Sequence, residues 1–286
     1  MVQAHPVPAL PPTSALAAED VVNTHNKLRE IAAGPKPNGW KESQSWVMSN
    51  VHALLLDMLV RVYAFADWAV EHNDLANYLG FADIALAQIC QHHHFEETIF
   101  FPHIQQVTGK DIMAQNVVQH HLFAPQLEQT WLYVRHARQN LNPLLPNVVK
   151  DVPPEVEGVD MTTCPLDADK PFDPAGLRRF MDEWVPALAL HLGDEIPTLS
   201  PSNLEAFGDK DAKEIDAKVN GHLKALDPHW FLCSAIAMMP NKTTKQMINL
   251  PVPVRRLLVP FVFARKNHGM WPYCSLPENL TFSGSA

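Results

Sequence analysis

The chain has 286 residues, 47% of them hydrophobic and 19% charged, and 22 basic against 31 acidic side chains leave a formal net charge of −9. That length and apolar content can bury one large core or two modest ones. The acidic balance, with no dense Lys/Arg stripe, argues against nucleic acid or an anionic membrane surface as a partner.

Residues 1–20 contain Pro6, Pro8, Pro11 and Pro12 but no basic start leading into an unbroken apolar run, so they do not read as a secretory signal. They are expected to form a flexible tail, within an N-terminal unit, residues 1–42, of tail and short helix. From Ser43 to about Asn73, Trp46, Val47, Val51, Leu54, Leu55, Met58, Leu59 and Val62 recur at helical spacing, and this first long helix carries His52. A second amphipathic stretch runs from Leu75 and is expected to stop near Pro102; it carries His92, His93, His94, Glu96 and Glu97. A third, from about Asp111 to Asn140, carries His120 and His121 and is expected to kink at Pro125. Prolines then accumulate between Leu141 and Pro174, which predicts a long crossing loop of the kind often used as a lid. A fourth helix should begin at Pro174 or Ala175, behind Asp173, and reach about Glu195, with His191 near its end. A fifth is expected between Asn203 and Leu226, followed by an irregular Pro-rich extension. The domains are thus 1–42, 43–200 and 201–286, in an all-α fold.

Cys90, Cys164, Cys233 and Cys274 are scattered with no CxxC pair, which fits a reducing, cytoplasmic location better than a disulfide framework or a structural zinc site. The most apolar late stretch, Leu250 to Ala264, is interrupted by three prolines and by Arg255-Arg256. It falls short of the roughly 20 apolar residues that span a bilayer.

On a helix, residues four apart share a face, so His92 with Glu96 can converge on one ion, and His93 with Glu97 repeats the spacing. His191 with Glu195 is the other His-x-x-x-Glu pair in the chain. His52, His92, Glu96, His120, His191 and Glu195 all lie on apolar, core-facing stripes of separate helices, which suggests a shared and dinuclear site. Imidazole plus carboxylate suits non-haem iron, while manganese and zinc accept the same donors. Any one of the 15 histidines, taken alone, is more often structural than a ligand. His25, His72, His103, His136, His222, His229 and His268 are read that way. Tyr63, Tyr78 and Tyr133 are candidates for the surroundings of the site.

His52, then His92-x-x-x-Glu96-Glu97 ending in Phe101-Pro102, then Gln119-His120-His121-x-Phe123, then His191-Leu192-x-Asp194-Glu195-Ile196 resembles the hemerythrin-like, HHE cation-binding family over about residues 44–200. The resemblance implies a four-helix bundle holding two irons per chain. His52 and His92 would bind one metal and His120 and His191 the other, with Glu96 and Glu195 bridging. The stretch around Arg265 to Trp271 is similar to the C-terminal extension of longer members. Where the family commonly has a second histidine on the third helix, this chain has Ala124, so one metal loses a ligand. His121 or Glu128 could fill the gap, His93 with Glu97 could replace His92 with Glu96 if the register slips, and Glu97 and Asp194 could orient ligands by hydrogen bonds. A mononuclear site and a metal-free scaffold are the alternatives.

Ferritin-like di-iron enzymes need Glu-x-x-His twice and zinc proteases need His-Glu-x-x-His, and the chain has neither. It also lacks Gly-rich phosphate loops and a Gly-x-Ser-x-Gly elbow. The expectation is a di-iron protein that reacts with O2 or peroxide to oxidise a small molecule, or else one that binds O2 or metal for sensing, storage or transport.

Overall fold

The computed structural model describes residues 2–167, 169–248 and 250–282. These residues are helical with no strand among them. In chain order the helices are α1 (Glu19–Ala33), α2 (Trp40–Glu71), α3 (Leu75–Phe95), α4 (Phe101–Thr108), α5 (Ala114–His120), α6 (Ala124–Leu141), α7 (Pro154–Glu157), α8 (Pro174–Thr198), α9 (Asp209–Ala225), α10 (Phe231–Met238), α11 (Asn241–Met247) and α12 (Ala264–Lys266). No helix among the described residues is long and apolar enough to cross a membrane.

The long helices pack pairwise, α2 against α3 and α8, α3 against α6, and α6 against α8, while α5 lies on α8. Their facing sides are fully buried: Met58, Leu59, Val62 and Phe65 from α2, Leu79, Ile84 and Leu86 from α3, Trp131 and Val134 from α6, and Trp184 and Leu188 from α8. Each such side chain contributes about 1.5–3 kcal/mol through its burial, so packing of these stripes outweighs intrinsic helix propensity. Asn73, at φ 54, makes the tight reversal between α2 and α3, a left-handed conformation that asparagine tolerates better than most residues. Asp173 caps α8 as expected, its Oδ1 accepting from the Gly176 amide at 2.9 Å with Pro174 at the first helical position.

The expected stop at Pro102 does not occur. A π-helical turn, Glu96–Phe100, follows α3 and leads straight into α4, with the Phe101 amide donating to the Glu96 carbonyl. Pro102 has no N–H for the Thr98 carbonyl, and the widened turn absorbs the missing bond just ahead of it. The kink expected at Pro125 is a full break: α5 ends at His120, residues 121–123 form a turn, and α6 restarts at Ala124 with Pro125 in its first turn.

Residues 142–173 form the expected crossing loop, which includes α7 and a 3-10 turn, Met161–Thr163, and is clamped from below. Asp83 on α3 accepts from the Val148 and Val149 amides at 3.0 and 3.3 Å, while Arg135 donates to the Val149 carbonyl at 2.9 Å. The N-terminal segment is likewise packed instead of flexible. The His5 amide donates to the Pro272 carbonyl at 2.7 Å, its ring lies 4.5 Å from that of Trp68, and α1 rests on α2 and α8. The fifth helix begins at Asp209 instead of Asn203, and the C-terminal extension is largely helical, including a π-helical segment, Val254–Phe263. All four cysteines are unpaired.

Candidate metal centre

Four helices deliver the charged and imidazole groups of the core to one level of the molecule. His52 comes from α2, His92 and His93 from α3, Glu96 from the first position of the π turn, His120 from the last residue of α5, and His191 and Glu195 from α8. His52, Glu96 and Glu195 are 0% exposed, and His120 and His191 are 1% exposed. Their donor atoms form two groups, His52, His92, Glu96 and Glu195 in one and His93, Glu96, His120 and His191 in the other. Within each group every donor lies within 4.8 Å of the others, and Glu96 belongs to both.

The hydrogen bonds at the back of these rings assign their protons. The Nδ1 of His52 lies 2.7 Å from the Leu192 carbonyl, which can only accept, so Nδ1 carries a hydrogen and Nε2 is turned inward, 3.3 Å from Glu195 Oε2. The Nδ1 of His120 donates in the same way to the Glu97 carboxylate at 2.7 Å. The Nδ1 of His191 donates to Gln119 Oε1 at 3.2 Å, and that amide is oriented by its own donation to Asp194 at 3.0 Å. The bare Nε2 atoms of His120 and His191 then face each other at 2.9 Å, and the Nε2 of His52 lies 3.0 Å from His92 Nε2. Both oxygens of Glu96, both of Glu195 and both ring nitrogens of His93 are buried without a hydrogen-bond partner.

Electrostatics follow from that crowding. Burial, then the charge of His52, pushes His92 down to about 3, and burial drives His93 and His191 well below the ordinary imidazole range. Burial and then the neighbouring Glu195 push Glu96 far up, whereas His52 holds Glu195 down despite its burial. Against its own burial His52 is raised, through Glu195 and Glu96. The neutral imidazoles of His92, His93 and His191, turned inward beside two buried carboxylates, cost several kcal/mol when left so. A cation between them removes the cost, and the donors suit a first-row metal.

The structure thus brings together the six residues singled out as ligands and adds His93. Glu97 and Asp194 stand behind His120 and Gln119, as the hydrogen bonds above show. His121 is exposed and Glu128 is half-buried, and both lie outside the two donor groups. Burial, then Glu155 and Glu97, raises Glu128 to about 7. Tyr63, Tyr78 and Tyr133 are engaged elsewhere, with Asp182, the Val62 carbonyl and the Asp173 amide. Sequence reasoning quoted Gln119 and Phe123 within the motif but gave neither a role; the Phe123 ring lies 5.1 Å from His93 and 5.6 Å from His191. Gln119 adjoins a candidate ligand, but nothing local distinguishes it from a surface glutamine.

Access is narrow. The His92 side chain is 10% exposed, against 0 or 1% for His52, His120 and His191. A groove of about 360 Å³ between α4 and α5 is lined by Glu97 together with Phe101, Gln105, Asp111, Met113 and Val117.

No protein-family model matches the chain, and no solved structure does. It is 26% identical over 244 residues to the "Dimeric xanthone biosynthesis cluster protein R11" of Cryptosporiopsis sp. (strain 8999), an alignment covering 82% of this chain and 81% of that protein.

Proposed function

We propose that the chain is a hemerythrin-like protein whose α2, α3, α5 with α6, and α8 form a four-helix bundle around two non-haem irons, and that it reacts with O2 or peroxide to oxidise a small molecule. The observation that carries this is the inward convergence of bare imidazole nitrogens and unpartnered carboxylates that share Glu96. Bound iron supplies redox chemistry and a Lewis acid, which no side chain here can supply alone. The chain's own part is to hold and orient. Leu192, Glu97 and Gln119 fix the tautomers of His52, His120 and His191. Phe123 and Phe101 pack against the His120 ring and keep bulk water off it. Glu97, held below the usual carboxylate range chiefly by its bond to His120, sits where a proton can pass between the groove and that ring.

An oxidase role is favoured over carriage by the similar protein's name, which places that protein in a biosynthetic cluster for a small molecule. The closure of the donor set, with one edge of His92 exposed, favours the second reading, an O2- or metal-binding protein without catalysis.

Elemental analysis of the purified protein tests the first step: about two irons per chain, lost in Glu96→Ala, are expected. Zinc or manganese in their place rejects iron, and no metal leaves a scaffold. O2 added to the reduced, iron-loaded protein separates the two functions. Oxidation that does not reverse on degassing rejects the carrier, and a fully reversible absorption change rejects the oxidase.

A further inference from the structure

In the resemblance described above one metal lacks a histidine because residue 124 is alanine, and the break after α5 sharpens the problem. Ala124 opens α6 beyond a turn, so it is not one helical turn from His120. We propose that His93 supplies the missing imidazole, making the two metals unequal: His93, His120, His191 and Glu96 around one, His52, His92, Glu96 and Glu195 around the other. This rests on the metal-binding reading above and names a ligand that the family pattern does not contain.

The donor of His93 lies within 4.8 Å of those of Glu96, His120 and His191. Its ring centroid is 4.5 Å from that of His120 and 5.6 Å from that of His191. Consecutive residues on a helix point about 100° apart, and α3 lies between α2 and the α5–α6 side. His92 therefore meets His52 of α2 while His93 meets His120 of α5, so neighbours in sequence serve different ions. His52, His120 and His191 each satisfy Nδ1 with a protein acceptor, but neither nitrogen of His93 has a partner, although the residue is only 7% exposed. As a packing element such an imidazole is worse than a leucine, because its polar atoms are buried for nothing. As a ligand its burial is explained. The consequence is that the His52–His92 metal, with two imidazoles and the partly exposed His92, is the one left open to a small exogenous molecule.

The test compares wild type, His93→Leu and a His94→Leu control, each stripped and reloaded with Co(II), by cobalt content, visible absorption and melting temperature. Expected are two cobalts per chain in wild type and in His94→Leu, and one in His93→Leu with a changed d–d spectrum. Stripped His93→Leu should melt no lower than stripped wild type, which separates loss of a ligand from loss of packing. Should His93→Leu fail to fold, His93→Gln is read by the same stoichiometry. Two cobalts with an unchanged spectrum in the His93 variant overturn the assignment and leave the metal-binding reading standing. A wild type that takes up no cobalt overturns both.

Discussion

Asp83 and Glu96 are both 0% exposed and stand on one helical run, yet their surroundings are opposite. Asp83 accepts from Trp131 Nε1 at 2.7 Å, from Arg135 at 3.2 Å and from two backbone amides. Glu96 has no hydrogen-bond donor, although its Oε1 lies 3.0 Å from His92 Nε2, and it faces Glu195 and five imidazoles. A buried carboxylate with its lone pairs filled by donors is a structural clamp, here holding residues 148–149 onto the helices. One whose lone pairs are empty, among bare nitrogens, is placed for a cation.

That contrast can be broken most forcefully by removing metal. Ligand linkage gives about 4 kcal/mol for each ion at a free concentration roughly a thousandfold above its dissociation constant. Chelation should therefore lower the melting temperature of wild type sharply and hardly change that of Glu96→Gln, as read by calorimetry with and without chelator. A wild type indifferent to chelator removes the distinction between the two carboxylates.

Next in size is the clamp. Asp83→Ala strands Trp131 Nε1 and two amides, takes the carboxylate from Arg135 and should cost about 3–5 kcal/mol, the range for breaking a buried charged network, while metal content per folded chain stays that of wild type. Denaturant unfolding and elemental analysis together check it; loss of metal with retained stability reverses the two roles.

Smaller still, Glu97→Gln leaves His120 a neutral acceptor in place of a carboxylate, and metal affinity should fall about 10–100-fold, as for outer-sphere partners of other ligating histidines. Competition against a chelator of known affinity measures it, and an unchanged affinity removes Glu97 from the site.

Smallest is Glu128, raised to about 7 in the fold. A carboxyl whose folded pKa is raised destabilises the fold as pH climbs above its unfolded value, because the unfolded chain ionises first. Glu128→Gln should match wild type near pH 4 and exceed it by up to about 1 kcal/mol at pH 8, the figure being reduced for partial exposure. Its metal content should be unchanged, and a loss of metal would return Glu128 to the ligand set.

The pairs His92 with Glu96 and His191 with Glu195 were legible because one helical turn is a local property, written as a spacing of four. His52 and His120 were legible as polar residues on apolar stripes. His93 was legible only as a substitute for His92, because its companions come from α5 and α8 and no spacing within α3 names them. The packing of the tail and the anchoring of the crossing loop were not legible, for the same reason. His5 is fixed by Trp68 and Pro272, and residues 148–149 by Asp83, all across long sequence separations.

By itself the sequence determined the helical class, the apolar faces and which side chains look inward, since each depends on periodicity within one segment. The tertiary structure decided which inward groups come within 4.8 Å of one another, that Glu96 belongs to both donor groups, that the break before α6 withdraws residue 124, and that His93 turns toward His120. Those outcomes depend on distances between helices and on where turns interrupt them, which local spacing does not encode.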